Sequence, residues 1–472
     1  MREEAFLVAG RDRCYRGTVM TRAGAAALVL LALAPAAGAR PVRVGDALCV
    51  SWSGPPLLAL APEVREAYLA ALGDAGWRLL RTDFTWARIE PAPDAFDFAA
   101  YDDLVERAAA HRIRLLGLLD YGNPWAAPGT PADDDHYPPD DPATFARFAA
   151  SAAQRYRGRI PAWEIWNEPN LSVFWRPRPE PARWAALAGA AARAIHAADR
   201  RAAVVTGGLA PTIDFLVYRE DWGFLGAAAA ARPDFLRWFD AGALHPYTFL
   251  QSPAPEVDTN TIGPSVPHQI DDFRKRLREA KAARLPVWVT EIGWHTALDS
   301  VFGPGVSELD QARYLVRSTV LALAAGAERV CWYTATDYVN FLHDKEAAFG
   351  LFRYPPGPTP DPKPSFIAAQ TFARVLGRAR FARELRRPLG LPPDAYAFGF
   401  RSPRETIVVL WALRDGVPAR VRARGPIRQV SLAGEEREIP GREARLVLGP
   451  SPVYLVLEAG APRLTRGSRV RQ

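Results

Sequence analysis

Cysteine is scarce in this 472-residue chain: Cys14, Cys49 and Cys331 are all it has. No pair is spaced C-x-x-C, and the seven histidines form no run with metal-ligand spacing. That excludes the sequence patterns of zinc ribbons and thiol redox centres, and neither a metal nor an organic cofactor is expected. Lysine is almost absent too. Lys275, Lys281, Lys345 and Lys363 aside, every one of the 59 basic residues is arginine. The arginines are scattered, so the formal charge of +7 marks no basic run interleaved with aromatics. A nucleic-acid partner is therefore not expected. No G-x-G-x-x-G follows the first apolar run, which counts against a dinucleotide-binding, doubly wound sheet. Methionine occurs only at Met1 and Met20.

Met20 opens a short charged stretch, an apolar run from Ala23 to Ala34, then Pro35 and Ala37-Gly38-Ala39. This is the order of a secretory signal peptide with an A-x-A cleavage site. An uncleaved membrane anchor is the alternative, although the run is short for a span and is interrupted by Gly24 and Pro35. Residues 1–39 are thus expected to be a leader or anchor. The protein is expected to be secreted or periplasmic, with membrane contact only through that segment.

From there to about residue 375, short apolar runs alternate with amphipathic stretches. The runs are Ala47–Trp52, Arg78–Phe84, Arg114–Tyr121, Ala162–Glu168, Ala203–Leu209, Ala243–Tyr247, Pro286–Trp294 and Arg329–Thr334. Strand–helix alternation repeated eight times predicts a parallel sheet closed into a (β/α)8 TIM barrel over residues 40–380. Closure would make the first and eighth strands neighbours, and so Cys49 and Cys331. Two buried free thiols is the favoured reading, with a bridge left open. Beyond Leu385 the pattern changes to short alternating runs separated by Gly, Pro and Asp. A small antiparallel β-sandwich is expected over 381–460, followed by a basic tail, 461–472. A monomer is expected.

Function in such a barrel sits at the C-terminal ends of the strands. The fourth run ends Trp163-Glu164-Ile165-Trp166-Asn167-Glu168-Pro169-Asn170, and the seventh Val289-Thr290-Glu291-Ile292-Gly293-Trp294. A carboxylate at the end of a buried strand is costly unless partnered or used. Two of them meeting over one mouth are the minimal equipment for cleaving a glycosidic bond. By simple alternation Val287, Val289 and Glu291 share the barrel-facing side, as do Glu164, Trp166 and Glu168. Glu164 lies deeper and is expected to be structural, held by a partner such as an arginine. Arg81, His245 and Tyr247 are candidate donors to Glu291. Asn167 could hold a sugar hydroxyl, Trp332 could floor a pyranose ring, and Asp83 could bind hydroxyls or pair with an arginine. Tyr121 and Asn123 end the third strand and are candidate substrate-binding residues. Trp86, Trp125, Trp175, Trp222 and Trp294 are mouth aromatics on which sugars stack or which merely pack.

These motifs, with Arg81-x-Asp83-Phe84-x-Trp86-x-x-Ile89-Glu90-Pro91, Leu119-Asp120-Tyr121-Gly122-Asn123-Pro124, His245-Pro246-Tyr247 and Phe349-Gly350-Leu351, resemble the clan A glycoside hydrolases. Within the clan the chain is most similar to family 39 and its bacterial exopolysaccharide-associated members, over about residues 45–380. The resemblance implies Glu168 as acid/base, Glu291 as nucleophile and Asn167 on the 2-hydroxyl. It also implies His245 and Tyr247 as supports, and Trp332 lining the −1 subsite. The resulting expectation is a retaining β-glycosidase, endo-acting on a bacterial exopolysaccharide. An exo-acting β-xylosidase-like enzyme, a retaining transglycosylase and a non-enzymatic sugar-binding barrel are the alternatives.

Overall fold

The computed structural model describes residues 42–214, 217–219, 222–248, 254–258, 263–297, 305–338 and 348–458. The leader, the basic tail and parts of the loop Thr248–Pro267 lie outside the described residues.

All eight apolar runs form strands: β1 (Leu48–Ser51), β2 (Leu79–Thr85), β3 (Arg114–Asp120), β4 (Ala162–Ile165), β5 (Ala203–Val205), β6 (Gly242–Leu244), β7 (Val287–Ile292) and β8 (Ala327–Tyr333). They pair in parallel in the order β5-β4-β3-β2-β1-β8-β7-β6. The isolated bridges Val205↔Ala241 and Leu209↔Leu244 join β5 to β6 and close the ring. The fold is the expected (β/α)8 barrel. Proline punctuates its helices: α1 (Pro62–Asp74), α2 (Ala99–Ala110), α3 (Pro142–Arg155), α4 (Pro181–Ala198), α5 (Gly223–Ala231), α6 (Val266–Glu279), α7 (Glu308–Ala324) and α8 (Pro364–Leu376). Five of these carry Pro in the first turn, where its missing N–H costs nothing. Asp141, Ser265 and Ser307 cap α3, α6 and α7 through their side chains.

The barrel interior is a small cluster of Cys49, Leu79, Leu116, Ala162, Val205, Ala241, Ala243, Trp288 and Cys331. Three small alanines, Ala162 on β4 and Ala241 and Ala243 around β6, share this interior with the single large ring of Trp288. A much larger apolar layer, including Val287, Val289, Val330 and Trp332, fills the space between strands and helices. Cys49 and Cys331 are register partners on β1 and β8 and are joined by a disulfide. This corrects the free-thiol reading: ring closure brings two inward-facing side chains on neighbouring strands within bonding reach.

The second correction concerns strand faces. Val287 and Val289 point to the helix layer and Trp288 to the interior, the reverse of the expected alternation. Glu291 still faces inward because β7 carries an irregularity. Val330 pairs with Val289, but Trp332 pairs with Ile292, so β7 has one residue more than β8 over this stretch. Thr290 and Glu291 therefore both turn to the barrel axis, as a bulge permits. β4 breaks its alternation too. It ends at Ile165, and Trp166 (φ 69°) and Glu168 (φ 44°) adopt left-handed backbone. Such backbone is strained for bulky residues and clusters at functional sites. Ile165 and Trp166 both join the outer layer. Asn167 and Glu168 turn to the mouth.

The C-terminal strands are β9 (Arg380–Glu384), β10 (Ala395–Arg401), β11 (Glu405–Ala412), β12 (Val417–Arg422), β13 (Ile427–Val430), β14 (Glu436–Ile439), β15 (Glu443–Leu448) and β16 (Val453–Glu458). Six form an antiparallel sheet, β9-β10-β11-β16-β13-β14, and β12 pairs with β15. β9 and β14 are not legible as apolar runs because their charged residues mask the alternation.

The bridge makes a direct prediction. Alkylation of the denatured, unreduced protein is expected to leave Cys49 and Cys331 unlabelled in peptide mass spectra. Labelling of both would return them to free thiols.

Candidate active site

Arg81, fully buried within β2 and facing the barrel axis, organises the mouth. Its Nε and Nη2 bind Glu164 at 2.6 and 3.2 Å, Nη2 also donates to Asn167 Oδ1 at 3.0 Å, and Nη1 to Glu291 Oε1 at 2.5 Å. One planar guanidinium thus ties β2, β4 and β7. Glu164 is the structural carboxylate the sequence suggested. It also accepts from Thr290 Oγ1 and from the Gly208 amide, both at 3.0 Å.

Glu168 and Glu291 face each other, and His245 lies beneath them. His245 Nδ1 is 2.7 Å from Glu168 Oε1 and 3.8 Å from Glu291 Oε2, and all three groups present ligand atoms within 4.8 Å of one another. Thr290 gives its proton to Glu164, so its oxygen receives one from His245 Nε2 at 3.0 Å. That leaves Nδ1 and Glu168 Oε1 holding one proton between them. Close packing here depends on Gly208, where a Cβ would lie 2.1 Å from His245 Nε2.

The two carboxyls are pushed apart electrostatically. Burial pushes Glu168 up, and the Glu291 charge adds to it, outweighing the bond to His245. Burial acts on Glu291 as well, but the His245 and Arg81 charges and the hydrogen bonds from Tyr247 and Arg81 overcome it. Glu291 is held below the ordinary glutamate range. His245 is raised: burial opposes its charge, and the two glutamates more than compensate. Tyr247 Oη donates to Glu291 Oε2 at 3.0 Å. The arrangement can hold one protonated and one ionised carboxyl on opposite sides of a reacting carbon.

The cavity above them measures about 320 Å³. Of the residues read from the sequence, Arg81, Asp83, Tyr121, Asn167, Glu168, Tyr247 and Glu291 line it. Asp83 also accepts from the Gly54 amide at 2.6 Å, so its partner is backbone rather than an arginine. His245 is wholly buried below the floor and supports Glu168 instead of meeting a ligand.

Besides His245, four residues read as substrate-binding do not reach the cavity. Trp86 is buried between Phe145, Phe148 and Trp125, with Nε1 on Glu90. Asn123 donates to the Glu90 carbonyl. Trp294 and Trp332 stack on each other in the outer layer. Trp332 falls outside because Cys331 and Tyr333, on either side of it, hold the inward positions of β8; Tyr333 lines the cavity. Trp175 and Trp222 are core residues. Asp337 pairs with Lys363 at 2.8 Å.

Residues the sequence reading missed complete the walls. Ser51 ends β1 and Trp52 and Ser53 follow it; with Leu171, Val173, Phe174, Ala210 and Pro211 they line the cavity, and Phe349 contributes from the loop after β8. Ser51-Trp52-Ser53 carries the same strand-end signature as the residues that were found. Phe174 had no such signal. It is placed by stacking on Tyr121 (5.7 Å) and by Trp166 Nε1 donating to its carbonyl at 2.8 Å. Two clusters have cation-ligand spacing among the described residues: the Glu168–His245–Glu291 group itself, and Asp134, Asp135 and His136 beside Tyr121.

This is an acid–carboxylate pair at the C-terminal mouth of a (β/α)8 barrel. Solved glycoside hydrolases share the fold. A family 39 enzyme from the gut symbiont Bacteroides cellulosilyticus WH2 superposes with a TM-score of 0.67 at 22% identity, covering 88% of this chain and 81% of that one. A family 39 β-xylosidase from Caulobacter crescentus gives 0.61 at 17%, covering 91% and 98%. A family 30 endoxylanase from Clostridium papyrosolvens C71 gives 0.59 at 11%, covering 89% and 98%. No protein-family model matches the chain. A curated phospho-cellobiase from Klebsiella oxytoca is 29% identical over 111 residues, which is 22% of this chain and about a quarter (24%) of that protein. The strand-end motifs thus sit on a fold shared with solved family 39 and family 30 glycoside hydrolases.

Arg81→Met would leave Glu164 buried without its counter-charge. A loss of about 3–5 kcal/mol in chemical denaturation is expected. A change within experimental error would show that Glu164 does not need the ion pair.

Proposed function

We propose that the chain is a retaining β-glycosidase. The observation that carries this is the close approach of Glu168 and Glu291, each of which presents one carboxylate oxygen within 4.8 Å of the other's across the mouth. Retaining enzymes hold their carboxyls about 5–5.5 Å apart, and inverting ones about 6.5–9.5 Å, to admit a water. Glu291, ionised beside Arg81 and Tyr247, attacks the anomeric carbon. Glu168, kept protonated by burial, gives its proton to the departing oxygen. The bond from carbon to the leaving oxygen breaks as the bond to Glu291 forms. Glu168 then takes a proton from water, whose oxygen displaces Glu291 from the same carbon. The motif resemblance supports Asn167, tied to Arg81 and to the Tyr121 hydroxyl at 3.1 Å, as the residue that meets the sugar's 2-hydroxyl.

The substrate we propose is an oligo- or polysaccharide, cut internally, from a bacterial exopolysaccharide. The motif resemblance supports this. Two structural neighbours, a β-xylosidase and an endoxylanase, support a xylose-configured substrate as the second reading. Export of the protein is supported by the pattern of residues 20–39 and by the disulfide, which belongs to an oxidising compartment.

Hydrolysis of a panel of aryl β-glycosides and exopolysaccharides tests the reading, with the first-formed anomer followed by NMR. Retained configuration is expected, and Glu291→Gln should abolish turnover. Glu168→Gln should lose about 10²–10⁴-fold on substrates with poor leaving groups and far less on nitrophenyl glycosides, which need no proton. Inverted product, or full activity in Glu291→Gln, would sink the mechanism. The pH profile follows from the opposite shifts. Activity should fall in acid as Glu291 protonates below the ordinary glutamate range, and in base as Glu168 ionises above it. Tyr247→Phe, lacking the donor that lowers Glu291, should move the acid limb upward; an unmoved limb would remove Tyr247 from that role.

A further inference from the structure

The C-terminal sheet meets the barrel at a buried charge. Glu256, in the loop after β6, has a fully covered side chain. Arg317 of α7 binds it through Nε at 2.6 Å and Nη2 at 2.5 Å. Trp411 of β11 donates Nε1 to Glu256 Oε1 at 2.8 Å. The Trp411 ring is itself fixed, stacked on Tyr396 at 5.3 Å and Phe398 at 5.4 Å. A buried carboxylate is tolerated only with its charge and hydrogen-bond partners in place. One of these partners is on the barrel and the other on the second domain, so the loop's best position exists only with the domain docked.

From that loop a chain of hydrogen bonds runs to the catalytic centre. The Val266 amide, at the start of α6, donates to Pro255 O at 2.9 Å, and the Ser265 amide to Asp258 Oδ1 at 2.6 Å. One turn on, the Gln269 side-chain amide donates to the carbonyls of Tyr247 (3.2 Å), Pro246 (3.4 Å) and Pro264 (3.1 Å). Tyr247 donates its hydroxyl to Glu291. We propose that Trp411, Glu256 and Arg317 form a clamp through which the C-terminal domain positions Tyr247 against Glu291. This rests on the reading of Glu291 as nucleophile. It gives the second domain a task other than binding carbohydrate: residues far from the mouth act as positioning residues for the reaction.

The test uses the full chain. Trp411→Phe keeps the stacked ring and removes the donor. Arg317→Lys is the second variant, should the first not fold. The readouts are kcat/KM and its acid limb on an aryl β-glycoside turned over by the wild type, and hydrogen exchange of the Val266 amide. The groups facing Glu291 are Arg81 from β2, Glu168 beyond β4, and His245 and Tyr247 beyond β6. Of these, only the residues beyond β6 are joined to the clamp through Gln269. We expect kcat/KM to fall about tenfold, in line with the cost of small misplacements. The acid limb should move upward and the Val266 amide should exchange faster. In a Tyr247→Phe background the same change should have little further effect on kcat/KM. A lower melting temperature with unchanged kcat/KM and acid limb, or full additivity with Tyr247→Phe, would overturn the clamp. If the wild type hydrolyses no glycoside, the glycosidase reading fails by itself. The clamp is then decided by exchange at Val266: faster exchange supports it and unchanged exchange overturns it.

Discussion

A buried guanidinium must be neutralised by partners that reach it in its own plane, and Arg81 imposes that requirement on half the barrel. Glu164 meets it from β4 and Glu291 from β7, while Asn167 takes a remaining N–H. A buried cation with one carboxylate would be a plain ion pair. With two, the second carboxylate is held ionised yet faces the cavity. The positive charge therefore does structural and chemical service at once, and loss of either carboxylate would leave charge uncompensated in the barrel.

The backbone is bent to satisfy this centre. A regular β7 would alternate Thr290 and Glu291 to opposite faces, so Thr290 could not reach Glu164 while Glu291 reaches Arg81. The extra residue in β7 turns both inward. Left-handed backbone at Trp166 and Glu168 likewise sends Trp166 into the outer layer and leaves Asn167 and Glu168 at the mouth. These are local departures from ideal strand geometry, and each is offset by hydrogen bonds in a densely packed surround. The opposite shifts of Glu168 and Glu291 follow from the same geometry. Glu291 has the cation and the phenol, while burial and the Glu291 charge outweigh the bond from Glu168 to His245.

The tryptophans show where sequence reasoning stops. Fourteen are present, and those near strand ends look equally suited to a sugar face. Trp86, Trp294 and Trp332 are packing residues, while Trp52, Phe174, Tyr333 and Phe349 line the cavity. An aromatic side chain signals large apolar area but not which side of a strand that area covers. A one-residue error in face exchanges Trp332 for Tyr333.

The eight strand–helix units, the proline-marked helix starts and the two strand-end glutamates with their arginine and histidine were all legible along the chain. They depend on residue type and short-range periodicity, which each segment carries locally. The bulge in β7 that turns Thr290 and Glu291 inward together, the joining of Cys49 to Cys331, the cavity walls and the docking of Trp411 on Glu256 came only with folding. Each of these rests on distant residues brought into contact or on a break in regular backbone. Neither leaves a periodic trace along the chain, because the energy that stabilises them is exchanged between elements rather than within one.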